Sequence, residues 1–443
     1  MTDIPDLQAL AAAANMGQPQ AQYRLGVLYF SRGEMPAALD WLSRAAESNV
    51  ADAQNLLGII YLNGIGIPCH PRKAAELLRA AAELDLKEAH FNLAGLLFCG
   101  TGIDNDDTAA YRHLLRAAEL RHRPALRVLG YLYSLAGDAV SQALATQCLA
   151  TAALLGDPHS EYALGMRYLE GAGVGTNVDE GVYWLIRAAN KNLYCAGLRL
   201  KALIGEMGET RIQSIMQRHI SEAQSLVANT SDLPQPEIKI HTPSSSNQKS
   251  TAVSEYPQIL EDRLCDYLVN LAAPQLVPSG VVDPNTGKPL KTKLRTSSSM
   301  NFQLSMYDMV VGFTCRLLAS LVGMQAVQAE PISVLRYLPG EEYKPHYDHF
   351  AVDEQGIPKV QDTNGQRLVT VFAYLNEVAE GGETDFPRLS VRVRSSKGKA
   401  VAFLNCDAAG KPDPDTLHAG LPVIRGEKWL ATLWFRERPF NWT

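Results

Sequence analysis

The chain has 443 residues, 41 of them Lys or Arg and 47 Asp or Glu, for a formal charge of −6; 46% are apolar and 7% aromatic. That is globular composition at a length suggesting about three domains, and the mild acidity excludes a chain-wide nucleic-acid or anionic-membrane footprint. No apolar run reaches the roughly 18 residues of a membrane span and the first twenty residues lack a basic start, so a cytoplasmic protein is expected, with no membrane and no nucleic acid as partner.

From the N-terminus a repeat dominates. A Leu-Gly or Ala-Gly pair recurs at Leu25-Gly26, Leu57-Gly58, Ala94-Gly95, Leu129-Gly130 and Leu164-Gly165, in steps of 32, 37, 35 and 35 residues. An alanine-rich helix end follows each pair: SRAAE at 43–47, RAAAE at 79–83, RAAEL at 116–120, TAALL at 151–155 and RAAN at 187–190. Apolar residues recur at helical spacing, and glycine clusters at 64–68, 100–104 and 171–175 divide two helices per unit. One helix pair cannot cover its apolar faces alone, whereas stacked pairs share a continuous core. The pattern resembles Sel1-like repeats, relatives of the tetratricopeptide repeats. The first unit (FSRGEMP) and the fourth (SLAGDAVSQ) lack the double-glycine loop. The stretch 201–227 reads as a closing helical cap, and the resemblance implies an α-solenoid over 1–228 that serves either as a spacer or stability module or as a docking surface for a protein partner.

Residues 229–254 are rich in Ser, Thr, Pro and Gln and read as a flexible linker. Beyond it, 255–443 reads as a β-rich domain. One helix is expected at 256–272, then the strands ISVLRYL, RLVTVFAYL, KAVAFL and KWLATLWF without intervening helices, which argues a barrel or sandwich. VIRGEKW reads as a hairpin turning at Arg425-Gly426-Glu427. That register would set Trp434 opposite His418 and put Lys428, Thr432 and Trp434 on one face. Seven scattered cysteines without a CxxC spell neither a disulfide framework nor a zinc knuckle.

The chemistry concentrates in VLRYLPGEEYKPHYDHF, residues 334–350. His346 and Asp348 are two apart on an apparent strand, so their side chains leave one face. His418 follows 72 residues later. Two histidines and a carboxylate can occupy one triangle of an octahedral iron and leave three positions open. An isolated HxD is weak, because a buried hydrogen-bonded pair explains it too. Lys428, ten residues after His418, would pair with a ligand carboxylate inside the barrel, since an unpaired buried charge is costly. Thr384, behind Gly381-Gly382-Glu383, and Tyr337 would add hydroxyls. His349 points to the other face and reads as a non-ligand.

Together, five ordered blocks over 257–440 resemble the prolyl 4-hydroxylase group of Fe(II)- and 2-oxoglutarate-dependent dioxygenases. The fold implied is a multidomain α and β chain, its C-terminal part a double-stranded β-helix (jelly roll). The resemblance implies iron on His346, Asp348 and His418, and Lys428 on the far carboxylate of 2-oxoglutarate with Thr384 and Tyr337 as helpers. It places Tyr343, Arg367 and Trp434 along a peptide groove. The implied activity is hydroxylation of a prolyl residue in a peptide or protein, with Fe(II), 2-oxoglutarate and O2; ascorbate is a family expectation. Two readings stay open beside it: the same cofactors acting on another side chain or a free amino acid, and a catalytically dead binding scaffold.

Overall fold

The computed structural model describes residues 4–218, 225–238, 247–248, 253–282, 289–290, 294–354, 359–360, 364–407 and 410–440. The first stretch is a run of antiparallel helix pairs from Ile4–Asn15 to Glu209–Arg218. The repeating glycine has a packing reason. A Cβ on Gly26, Gly58 or Gly130 would lie 2.7, 2.9 or 2.6 Å from Leu42, Leu78 or Leu149 of the following helix, so only glycine lets each pair close to this distance. The double-glycine loops end the first helix of a pair in left-handed conformation, at Gly64, Gly100 and Gly171. The fourth unit lacks that loop and still forms a pair, Arg123–Ser134 and Ala139–Leu154, the second helix started by the Asp138 carboxylate accepting from Ser141 N at 2.9 Å. The described part of the expected cap is the end of Tyr194–Met207 followed by Glu209–Arg218. Residues 219–224 of it lie outside the described residues.

Two expectations about the chain beyond the array need correction. Part of the expected linker is tied down: Tyr133 OH donates to Pro234 O, and just before the linker Ala228 N donates to Thr151 Oγ1 at 2.9 Å. Val253–Tyr256 is already a strand of the main sheet, because its backbone pairs with Ala400–Leu404. Segments 239–246 and 249–252 of the expected linker lie outside the described residues. The first helix of the C-terminal half therefore begins later than expected, at Asp262. A second helix, Met309–Ser320, interrupts the strands. Its sequence MVVGFTCRLLAS is apolar nearly all round, so it shows no amphipathic period.

The C-terminal half is built on two facing antiparallel sheets. The larger runs in the order 247–248, 253–256, 400–404, 367–374, 428–436, 333–337, 298–301, 277–278. The smaller runs 391–393, 384–386, 418–420, 343–346. The chain switches sheets at Arg425-Gly426-Glu427, so the expected hairpin does not form. Val423–Arg425 pairs with Glu380–Gly381, and Lys428–Arg436 lies between Ser333–Tyr337 and Arg367–Tyr374.

The two halves share one core. Apolar packing runs without a break from Leu62 and Leu97 of the array through Leu268 and Val311 to Phe435. Helices Asp262–Ala272 and Met309–Ser320 pack on the first helices of the repeat pairs. Gly95 marks the closest approach: a Cβ there would stand 2.4 Å from Tyr307 O. Asp308 caps the buried helix, Oδ1 accepting from Val310 N and Val311 N at 2.9 and 3.0 Å, while its Oδ2 accepts from Tyr267 OH. The array face available for docking is thus, over these repeats, filled by the chain's own C-terminal half.

Candidate metal centre and its cavity

His346 and His418 are directly opposite in neighbouring strands of the smaller sheet, with ring centroids 4.2 Å apart. Asp348 lies just beyond the strand Tyr343–His346, in a bend, and not on the strand as its spacing suggested. The bend turns its carboxylate back between the imidazoles, with Oδ1 3.7 Å from His346 Nε2 and Oδ2 3.7 Å from His418 Nε2. The three ligand atoms fall within 4.8 Å of one another, the single such cluster among the described residues.

The surroundings prepare these atoms for a cation. His346 Nδ1 bonds Lys344 O at 2.8 Å and His418 Nδ1 bonds Thr416 O at 3.0 Å. A carbonyl only accepts, so each Nδ1 carries the hydrogen and each Nε2 presents a lone pair. Burial, aided by His418, pulls the His346 pKa down to about 3, so it is neutral near pH 7. Burial pushes the Asp348 carboxyl up, but His418, His346, Arg367 and the Thr370 hydroxyl outweigh it and hold the pKa at about 2. Thr370 Oγ1 donates to Asp348 Oδ2 at 2.8 Å, and Asn405 Nδ2 donates to Thr370 Oγ1 at 2.9 Å.

One cavity between the sheets joins this cluster to Lys428. From the larger sheet, alternate residues Lys428, Leu430, Thr432 and Trp434 line it, as period two requires. Lys428 is 1% exposed and has no hydrogen bond or ion pair among the described residues; its Nζ lies 5.3 Å from the Tyr337 ring centroid. Burial lowers its pKa to about 7, against a modest opposing pull from Glu383. Thr384 and Tyr337 line the same end of the barrel, and Thr384 Oγ1 shares a 2.9 Å hydrogen bond with Tyr374 OH. Gly381 shapes the approach to Thr384: its φ is +76° and a Cβ would meet Pro422 O at 2.5 Å.

The expected groove residues separate. Tyr343 stacks on His346 at 3.4 Å between centroids, and the Arg295 guanidinium lies 4.8 Å from the Tyr343 ring centroid. Trp434 lines the cavity, but its strand partner is Thr370, not His418. Arg367 does not line the cavity. Its guanidinium grips Glu330 at 2.6 and 2.7 Å and lies 4.5 Å from the Trp434 ring centroid, so it holds the tryptophan and is not free for a substrate. His349 bonds Phe350 O at 3.1 Å and takes no part in the cluster. Thr370, Asn405, Tyr374 and Glu330 escaped the sequence reading. Thr370 alone left a signal, as a polar residue at an inward position of RLVTVFAY.

Residues 332–436 match the 2OG-Fe(II) oxygenase superfamily, and 19–50, 51–86, 87–122 and 158–193 match the Sel1 repeat, leaving the divergent fourth unit between them. Prolyl 4-hydroxylase 1 of Arabidopsis thaliana is 38% identical over 214 residues, 43% of this chain and 73% of that protein. The viral collagen prolyl hydroxylase of Paramecium Bursaria Chlorella virus-1, solved with 2OG, is 30% identical with a TM-score of 0.34, covering 42% of this chain and 96% of that one. A Sel1 repeat protein from Oxalobacter formigenes is 27% identical with a TM-score of 0.42, covering 45% and 60%. Fold and site together define a 2-oxoglutarate- and Fe(II)-dependent dioxygenase carried on a helical repeat array. The chain belongs to the 2OG-Fe(II) oxygenase superfamily, in the branch related to prolyl 4-hydroxylases, with N-terminal Sel1 repeats.

Proposed function

We propose that the chain hydroxylates a prolyl residue of a peptide or protein. The observation that carries the reading is one cavity holding two imidazoles and a carboxylate and, in the same lining, a buried lysine that lacks a counter-ion among the described residues. The donor set fits Fe(II), and the unpaired ammonium fits the far carboxylate of 2-oxoglutarate. Kinship with prolyl 4-hydroxylases supports the choice of substrate. When bound, iron and 2-oxoglutarate supply the oxidising chemistry: O2 and 2-oxoglutarate become succinate and CO2, and one oxygen enters a substrate C–H bond.

The chain's own residues bind, orient and exclude water. His346 and His418 present Nε2 because their Nδ1 hydrogens are engaged by backbone carbonyls. Thr370 and Asn405 hold the Asp348 carboxylate in place. Lys428 would fix the far end of the co-substrate, with Thr384 and Tyr337 beside it. Leu335, Phe372 and Leu430 make the lining apolar between these polar ends. Tyr343 and Trp434 would take the substrate ring, with Arg367 and Glu330 bracing the tryptophan. In this reading the array serves first as the mount of the oxygenase half. The seven free cysteines support a reducing, cytosolic setting as part of the same proposal.

The test is turnover of proline-rich peptides with Fe(II), 2-oxoglutarate and ascorbate, followed by mass spectrometry. One added oxygen on proline, matched by succinate, is expected. Oxygen on another residue or on a free amino acid overturns the substrate; metal binding without any coupled succinate release overturns the activity.

A further inference from the structure

The strand that carries Lys428 starts at that residue, directly after the sheet-switching turn. A lysine side chain has several rotatable bonds, so its ammonium is only as well placed as its Cα. The two residues flanking it are held in an unusual way. Asn376 clamps the backbone on both sides: its Nδ2 donates to Glu427 O and its Oδ1 accepts from Trp429 N, each at 2.8 Å. The side chains on both sides are held by one residue from the other half of the molecule. Tyr194, in the helix Tyr194–Met207 of the array, donates its hydroxyl to Glu427 Oε1. Its ring meets the Trp429 indole edge-on, with centroids 5.2 Å apart. Tyr194 is itself anchored, since the next residue, Cys195, donates its N–H to Asn270 Oδ1 at 2.9 Å. Trp429 is 1% exposed, so this contact lies inside the seam and not on its rim.

We infer that Tyr194 is a positioning residue for 2-oxoglutarate: the repeat array, through Glu427 and Trp429, sets where the Lys428 ammonium stands. The inference rests on the proposed role of Lys428. It assigns the array a part in co-substrate binding, distinct from any docking of substrate or partner.

The experiment uses the full chain loaded with Mn(II) as a redox-inert metal, titrated with 2-oxoglutarate by calorimetry. Tyr194→Phe loses the hydroxyl and keeps the ring; Tyr194→Ala loses both. The expected result is 2-oxoglutarate affinity weakened about threefold in the first and about tenfold or more in the second, in line with one hydrogen bond and one aromatic contact. Mn(II) affinity should stay at the wild-type value. Tyr162→Phe breaks another array contact, Tyr162 OH to Asp266 Oδ2 at 2.7 Å, and should leave 2-oxoglutarate affinity unchanged. Wild-type affinity in a folded Tyr194→Ala protein overturns the inference, as does an equal loss in Tyr162→Phe, which would make the effect a general loosening of the seam. Lys428→Met separates the two levels: if it binds 2-oxoglutarate as tightly as wild type, the role of Lys428 itself fails, whatever Tyr194 does.

Discussion

Two buried regions of this molecule treat charge in opposite ways. Along the seam between the halves, charges come in pairs: Arg127 with Asp157 at 2.8 Å, the half-buried Lys397 with Asp266 at 2.7 Å and, at the exposed edge, Arg316 with Asp107 at 2.8 Å. In the cavity Lys428 is buried more deeply than any of these and has no such partner among the described residues. A lone buried charge costs several kcal/mol, about what a paired one regains from its counter-ion. The seam is therefore finished as it stands, whereas the cavity is complete only with an anion in it.

The largest expected effect falls on the metal side of the cavity. Asp348→Ala removes the one anionic ligand and leaves only the two imidazoles; the expected outcome is loss of Mn(II) binding by electron paramagnetic resonance and of all coupled succinate release. Wild-type turnover in that variant would remove the metal assignment. Next comes the seam. Arg127→Met strands the buried Asp157 carboxylate, whose Oδ2 also accepts from Ser160 N at 2.8 Å. Breaking one half of a buried pair costs about 3–5 kcal/mol. Urea unfolding should show that loss, with 2-oxoglutarate affinity unchanged in the folded fraction.

Lys428→Met sharpens the contrast because its two effects have opposite signs. Removing an unpaired buried ammonium should stabilise the protein without 2-oxoglutarate, by about 1–4 kcal/mol, as apolar replacement of buried charge has done elsewhere. The same change should weaken 2-oxoglutarate binding by about 2–5 kcal/mol, the range for a desolvated ion pair. A variant destabilised in the absence of 2-oxoglutarate would instead make Lys428 a structural residue like Arg127.

The same two regions differ in how readily they are read from sequence. The array is local: the glycine at Leu57-Gly58 serves a leucine 20 residues on, so one period exposes helices, loops and packing together. The site is half local. His346 and Asp348 sit in one motif, but their convergence comes from a bend that spacing alone represents as strand. His418 meets His346 through sheet pairing, and the hairpin expected at Gly426 set Trp434 against the wrong partner, because nothing local tells a turn within a sheet from a crossing between sheets. Asn405 and Glu330 act from other strands and loops and leave no local pattern. The helix Met309–Ser320 stayed hidden for a related reason: it is buried nearly all round, between the array and the helix Asp262–Ala272, so its sequence lost the period that marks a half-exposed helix.

Thr370→Val tests the support behind the ligands and should have a smaller effect. It keeps shape and removes the hydroxyl that bonds Asp348 Oδ2. Partners that orient a metal ligand contribute about 10–100-fold in metal affinity. Mn(II) titration should show a loss in that range with the fold intact; an unchanged affinity would mean the bend alone holds the carboxylate.

The smallest effect, and the most specific to the cavity, is a pH dependence. Without 2-oxoglutarate the folded protein holds the Lys428 proton only up to about pH 7, whereas the unfolded chain holds it to the ordinary 10.5. Between those values the unfolded state binds more protons, so this lysine's contribution to stability improves as pH rises and is worst below 7. Binding runs the other way. A dicarboxylate favours the ammonium, so above pH 7 binding takes up a proton. Affinity is then full below pH 7 and falls by up to about tenfold per unit above it, until the raised pKa of the complex is reached. Calorimetry in buffers of different ionisation enthalpy would read the proton uptake directly. In Lys428→Met both slopes should vanish together, since one proton on one buried nitrogen produces them; a slope that survives in either measurement would assign it to another group.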